Sequence, residues 1–235
     1  MAHRIASRKE WRGERVALLE KERAFTHARD ALSAARRELP WVQISDYVFA
    51  GSGGAVRLSE LFRGKSQLVI YHFMFNPDWE AGCKSCSFWA DNFERIIVHL
   101  RARDANLAAV SRAPIEKLDA FKRRMGWSFE WVSCGATGEF NHDFGAYLTP
   151  DDLARPGNNT NYGTRRFTIA DVPVISVFAR DADGSLYHTY STYSRGLDML
   201  NGAYHYLDLL PKGRDEDSLP YHMDWVRLRD EYPAS

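Results

Sequence analysis

The chain has 235 residues, 45% of them apolar, which is enough for a real core and too many for a mainly disordered polypeptide. Lysine plus arginine and aspartate plus glutamate both number 31, so no basic excess exists to neutralise phosphates and nucleic acid is not expected as a partner. The longest strongly apolar run, Leu68 to Phe75, contains His72 and falls far short of the roughly 20 residues that cross a bilayer. No apolar stretch follows the N-terminal charges, so no secretory signal is expected, and three cysteines, an odd count, fit a reducing compartment. The expectation is a cytoplasmic protein with no membrane partner.

Residues 1–40 are expected to form a helical arm. Trp11, Leu18, Phe25, Leu32 and Leu39 recur every seven residues along a stretch dense in Arg, Glu and Ala, and Pro40 ends it. Such a stripe serves either to pack on a partner chain, making a homodimer, or to lie on its own domain. From Trp41 short strands begin, with Gly51-Ser52-Gly53-Gly54 as a hairpin turn. That turn lacks the Gly-Lys-Ser/Thr ending of a phosphate loop, and no dinucleotide fingerprint occurs, so no cofactor is expected. Gln67 to Phe73 reads as a strand buried on both faces. Ser87 to Arg103 reads as one helix, Asn106 to Ser111 as a strand and Pro114 to Met125 as a helix closed by Gly126. A strand over Phe129 to Ser133 leads into a long polar connection, Thr137 to Thr164. A hairpin of Val174 to Arg180 with Leu186 to Tyr190 and a final helix, Gly196 to Leu210, complete a mixed α/β sheet. Residues 41–211 are expected to be the domain and 212–235 a polar tail.

The most informative stretch joins the buried strand to a helix start: Asn76-Pro77-Asp78-Trp79-Glu80-Ala81-Gly82-Cys83-Lys84-Ser85-Cys86. Two cysteines three apart at a helix N-terminus are close enough to bond. The free N–H groups of the first turn favour a thiolate on the first, and Lys84 adds a nearby positive charge. Cys83 is therefore expected as nucleophile and Cys86 as resolving thiol. A zinc site needs about four ligands and this pair supplies two, with His72, His142 or Cys134 available only through the fold, so no metal is expected. The competing structural reading is two small buried cysteines that never oxidise. Trp79 and Asp78 flank the pair, either to shield the thiolate or as surface loop. Pro173, opening a late apolar strand, marks either a cis bond facing the cysteines or an ordinary trans strand start. His72 is expected as a satisfied core histidine, Cys134 as a structural cysteine, and His142 and Asp143 as loop lining.

Three blocks, Ser66 to Phe75, Gly82 to Asp91 and Val110 to Pro114, together with Phe121 to Trp127 and His188 to Gly196, resemble a family of bacterial proteins catalogued as a domain of unknown function, DUF899. The resemblance spans nearly the whole chain. It implies a thioredoxin-like fold over about residues 41–211, with a central mixed sheet flanked by helices, and a thiol-disulfide oxidoreductase acting on a protein or small-molecule disulfide. Cys83 and Cys86 fall at the thioredoxin-type pair and Pro173 near the cis-proline position. The chain departs from thioredoxin in having Gly82 where thioredoxins have Trp and Lys84-Ser85 between the cysteines instead of Gly-Pro. It also lacks the Pro-x-x-x-Thr-x-x-Cys stretch of peroxiredoxins, and Arg112 is not clearly their peroxidatic arginine. Thiol peroxidase and non-catalytic scaffold stand as the alternative functions.

Overall fold

A computed structural model describes residues 3–233, and the chain falls into two compact units, divided between Pro40 and Trp41. The first is helix α1 (Arg8–Arg37). Its start is fixed by a reciprocal cap: the Glu10 N–H donates to the Ser7 hydroxyl and the Ser7 N–H donates to the Glu10 carboxylate. None of its residues is buried, and Trp11 and Phe25 are 57% and 68% exposed.

The second unit is an eight-stranded mixed sheet with helices on both faces. Its strands are β1 (Val42–Ile44), β2 (Val48–Gly51), β3 (Gly54–Arg57), β4 (Gln67–His72), β5 (Ala105–Ser111), β6 (Glu130–Ser133), β7 (Val174–Arg180) and β8 (Leu186–Tyr193), in the spatial order β1-β8-β7-β4-β5-β6-β2-β3. Helix α2 (Leu58–Leu61) precedes β4, α3 (Lys84–Ala90) and α4 (Phe93–Ala102) lie between β4 and β5, and α5 (Ile115–Met125) lies between β5 and β6. Further on come α6 (Glu139–Asp143), α7 (Pro150–Ala154), a 3-10 segment over Ser194–Leu200 and α8 (Gly202–Leu207). None of the helices is long and apolar enough to cross a membrane among the described residues.

Strand β4 is central. It runs parallel to β5 on one side and antiparallel to β7 on the other. A strand leading into the cysteine helix, a parallel neighbour reached through that helix, then an antiparallel β7–β8 hairpin and a closing helix make the thioredoxin-like fold. The apolar run of β4 is explained by its two covered faces. Leu68 and Ile70 enter one cluster with Ala108, Val110, Val132 and Phe178. Tyr71 and, just beyond the strand, Phe73 enter the other with Ala109, Trp131 and Ile175.

Three expected elements differ. The helix expected over Ser87 to Arg103 begins earlier and breaks in two at Asp91-Asn92. There the Asn92 amide donates to the carbonyls of Phe88 and Trp89, and Asp91 accepts from the Trp127 indole N–H. The last helix is likewise split, because Asn201 caps a new helix through the Tyr204 N–H. The polar connection contains α6 and α7 and contributes core. Phe140 and Phe144, one helical turn apart, lie on Phe178 with ring centroids 5.9 and 5.0 Å away. Beyond position 211 the chain remains within the second unit, and Val226 and Leu228 are buried.

His72 closes β4 as a buried, fully partnered side chain. Its Nδ1 lies 2.9 Å from Asn141 Oδ1 and its Nε2 lies 2.9 Å from Ser176 Oγ. Ser176 continues to Ser191 and Ser191 to His188. Burial lowers its pKa from 6.5 to about 4. Above pH 6.5 the ring is neutral folded and unfolded, so it adds no pH dependence. Below 6.5 the unfolded chain takes the proton first, and stability falls until the folded ring also protonates near pH 4. The loss over that window is on the order of 3 kcal/mol. Denaturant melts at pH 7 and pH 4.5 check this: His72→Gln flattens the difference, and an unchanged difference contradicts it.

Candidate functional site

Beyond β4 the backbone stays extended and buried. Phe73 N–H donates to the Val110 carbonyl and Ala113 N–H to the Phe75 carbonyl, both at 2.9 Å. The chain then turns at Asn76, whose side-chain oxygen accepts the Asp78 N–H and whose carbonyl accepts the Trp79 N–H. Lys117 reaches from α5 and donates its ammonium to the carbonyls of Pro77 and Trp79, at 2.9 and 3.0 Å. The Cys83 N–H closes the loop on the Met74 carbonyl at 3.1 Å.

Gly82 has a steric reason. A Cβ there meets ring carbons of Phe73 and Phe121 at 2.8 Å, closer than carbon atoms approach without displacement. The larger residue of the thioredoxin pattern cannot occupy this position without moving the two rings.

Cys83 is the N-cap of α3, and its sulfur accepts the Cys86 backbone N–H at 3.5 Å. Cys83 is half-buried, whereas Cys86, one turn inside, is 1% exposed. The Cys86 sulfur accepts the Met74 N–H at 3.5 Å and is hydrogen-bonded to the Tyr71 hydroxyl. All three cysteines are free thiols. The pair is electrostatically unequal. A side-chain hydrogen bond from Cys86, helped by backbone N–H groups and opposed by burial, lowers the Cys83 thiol from 9 to about 7. Burial, and then the neighbouring Cys83 sulfur, push the Cys86 thiol up. The outer sulfur ionises near neutrality and the inner one keeps its proton.

A cavity of about 770 Å³ opens beside Cys86, which lines it with Tyr71, Met74 and Trp89 on one side, while Val172 and Pro173 form another and Cys83 is not part of the lining. All peptide bonds among the described residues are trans, including the one before Pro173, so Pro173 reaches this wall as an ordinary strand start. Further walls come from Arg165 and Phe167, from the stretch around Ser194 to Asp198, and from the C-terminal segment Lys212 to Met223. Glu216, 7% exposed, holds that segment down: one oxygen accepts the Tyr204 hydroxyl at 2.8 Å, the Trp225 indole N–H at 2.6 Å and the Met223 N–H at 3.2 Å. Lys84 belongs to the same arrangement. Its ammonium donates to the Asp224 carbonyl at 3.1 Å, so it ties the segment to the start of α3.

Trp79 is half-buried against the same apolar cluster as Cys83, and Asp78 is exposed. Cys134 points its thiol at the Ser111 carbonyl, 3.4 Å away, and burial raises it to about 12. His142 sits at the surface, 3.2 Å from the Asp152 carboxylate. Among the described residues no three His, Cys, Asp or Glu side chains gather as metal ligands. Arg112 has a different task. Its Nε and Nη2 donate to the two oxygens of Asp171 at 2.8 and 3.2 Å, its Nη1 donates to the Ala136 carbonyl at 2.8 Å, and its guanidinium lies 3.8 Å from the Tyr147 ring. Asp171 also accepts from the Asn76 amide at 3.0 Å. One buried ion pair thus binds together the loops after β4 and β5 and the entry to β7.

Sequence reasoning missed Tyr71, Glu216 and the C-terminal wall. Tyr71 carries a periodicity signal for burial alone, and only strand pairing brings its hydroxyl to Cys86. Glu216 stands in a charged stretch that reads as solvated tail.

Among solved structures, peroxidoxin BcpB from Mycobacterium tuberculosis is similar with a TM-score of 0.48 and 17% identity, covering 69% of this chain and 93% of that one. A PrxQ mutant from Xylella fastidiosa gives 0.45 and 14%, covering 71% and 95%. A peroxiredoxin Q from Xanthomonas campestris gives 0.43 and 18%, covering 67% and 89%. No curated protein matches the sequence. The family model described as "Bacterial protein of unknown function (DUF899)" matches residues 1–232, and the chain belongs to that family.

Proposed function

We propose that the protein is a two-electron thiol-disulfide oxidoreductase. The observation that supports this most directly is the unequal pair: an outer Cys83 sulfur lowered to about 7 within contact of a protonated, buried Cys86. The thiolate is the nucleophile in exchange, and a thiol whose pKa lies near the ambient pH combines ionised fraction with intrinsic reactivity. Cys83 attacks one sulfur of a substrate disulfide, a mixed disulfide forms and the first substrate thiolate leaves. Cys86 then attacks the Cys83 sulfur, its proton goes to the departing second thiolate, and the Cys83–Cys86 disulfide remains.

Free-thiol counting tests the reading. Mild oxidation with diamide is expected to remove two of the three thiols, dithiothreitol to restore them, and peptide mapping to place the bond between Cys83 and Cys86. Alkylation of reduced protein is expected to show a midpoint near pH 7 for Cys83. Three thiols persisting under oxidant would sink the proposal.

A further inference from the structure

We infer, resting on the redox reading above, that the cavity beside Cys86 seats a low-molecular-weight zwitterionic disulfide, of the size of a short peptide, as the substrate of the cysteine pair. The first ground is shape. The space is about 770 Å³, within the range of small-molecule sites and too small for a folded protein. The segment from Lys212 to Met223 forms one of its walls and is pinned by three hydrogen bonds to Glu216. A disulfide loop on a folded protein would have to displace that wall.

The second ground is charge. Several lining charges satisfy one another: Arg214 pairs with Asp198 at 2.9 Å and Asp208 at 2.7 Å, and Arg195 pairs with Asp198 at 3.1 Å. Four do not. Arg165, Lys212, Asp215 and Asp217 line the cavity, are exposed, and make no side-chain ion pair among the described residues. Two free cations and two free carboxylates at the rim match a ligand that carries both carboxylate and ammonium groups. Apolar Met74, Trp89 and Met223 at the walls leave room for the methylenes next to its sulfurs.

The third ground is position. Cys83 is not among the lining residues, but Ser85 and Cys86 of the same turn of α3 are, and the Cys83 sulfur accepts the Cys86 N–H at 3.5 Å, so a disulfide extending from this wall toward the start of α3 meets the pair. The step balances. The Cys83 thiolate bonds to one ligand sulfur as the ligand's own sulfur–sulfur bond breaks, and the electron pair leaves on the other as a thiolate. Cys86 then bonds to Cys83, and the second ligand half departs with the Cys86 proton. The ligand gains two electrons and the protein loses two.

The test is single-turnover oxidation of the reduced full-length protein by oxidised glutathione, by neutral hydroxyethyl disulfide and by insulin. Oxidised glutathione is expected to saturate and to react fastest, insulin slowest. In the double variant Arg165→Gln, Lys212→Gln the preference for the charged over the neutral small disulfide should fall about tenfold, as loss of two exposed ion pairs to the ligand predicts. Insulin reacting as fast as glutathione, or a charge preference absent from wild type or intact in the variant, overturns the inference. If none of the three oxidises the protein although diamide joins Cys83 to Cys86, the occupant is wrong and the redox reading survives. If no oxidant joins the two sulfurs, both fall.

Discussion

Asp171→Ala is expected to cost about 3–5 kcal/mol, the largest loss of stability from a single substitution near the site. The carboxylate is 3% exposed and takes both forks of the Arg112 guanidinium together with the Asn76 amide. Alanine removes the counter-charge and leaves a cation, 6% exposed, whose remaining partners are the Ala136 carbonyl and the Tyr147 ring. For a chain of this length the midpoint of thermal unfolding should drop by roughly 10 °C. The double variant Arg112→Met, Asp171→Leu should recover much of the loss, since two apolar groups need no partner. Thermal melts of the three proteins decide the matter. A single variant that melts with wild type shows that the pair does not clamp the loops, and a double variant no better than the single shows that shape, not charge, is what counts.

Replacing Cys83 by Ser is expected to lower disulfide exchange by at least about a thousandfold, because the hydroxyl does not ionise near neutrality and forms no mixed disulfide. Its fold should stay intact, since serine keeps an acceptor at the cap of α3, where the Cys86 N–H points. Cys86→Ser is expected to behave differently. It retains the first attack and stalls there, so mass spectrometry should find half of the substrate attached to Cys83. Equal activity in both variants would separate the cysteines from the chemistry. Loss in Cys86→Ser without an adduct would place the nucleophile elsewhere.

The sheet was legible where burial and period coincide. The β4 run, the β7 strand over Val174 to Arg180 and helix α5 with its left-handed Gly126 at φ 64° stand where the residues place them, because each is decided by its own face pattern or cap. Elements decided by distant partners were not legible. Asn92 breaks a helix whose apolar stripe runs on without pause, since its amide serves Phe88 and Trp89 while its oxygen takes the Gly202 N–H. Phe140 and Phe144 sit in a stretch whose Gly and Asn content reads as loop, yet they are 2% and 7% exposed. At the site, the cysteine spacing and the cap geometry were readable. The direction of Lys84 was not, because its acceptor is a backbone carbonyl far along the chain. The use of Arg112 was equally hidden, since nothing local to it names Asp171.

The Glu216 anchor has a consequence for biogenesis. Synthesis runs from the N-terminus, so Cys83 and Cys86 leave the ribosome long before Glu216, Met223 and Trp225 do. A nascent chain can therefore hold both sulfurs in a half-built chamber, one that lacks the wall supplied by Lys212 to Met223. On the proposed reading, discrimination against bulky disulfides arrives only when the final stretch docks. On that reading, an oxidant that reaches the newborn polypeptide meets both thiols before that wall has formed.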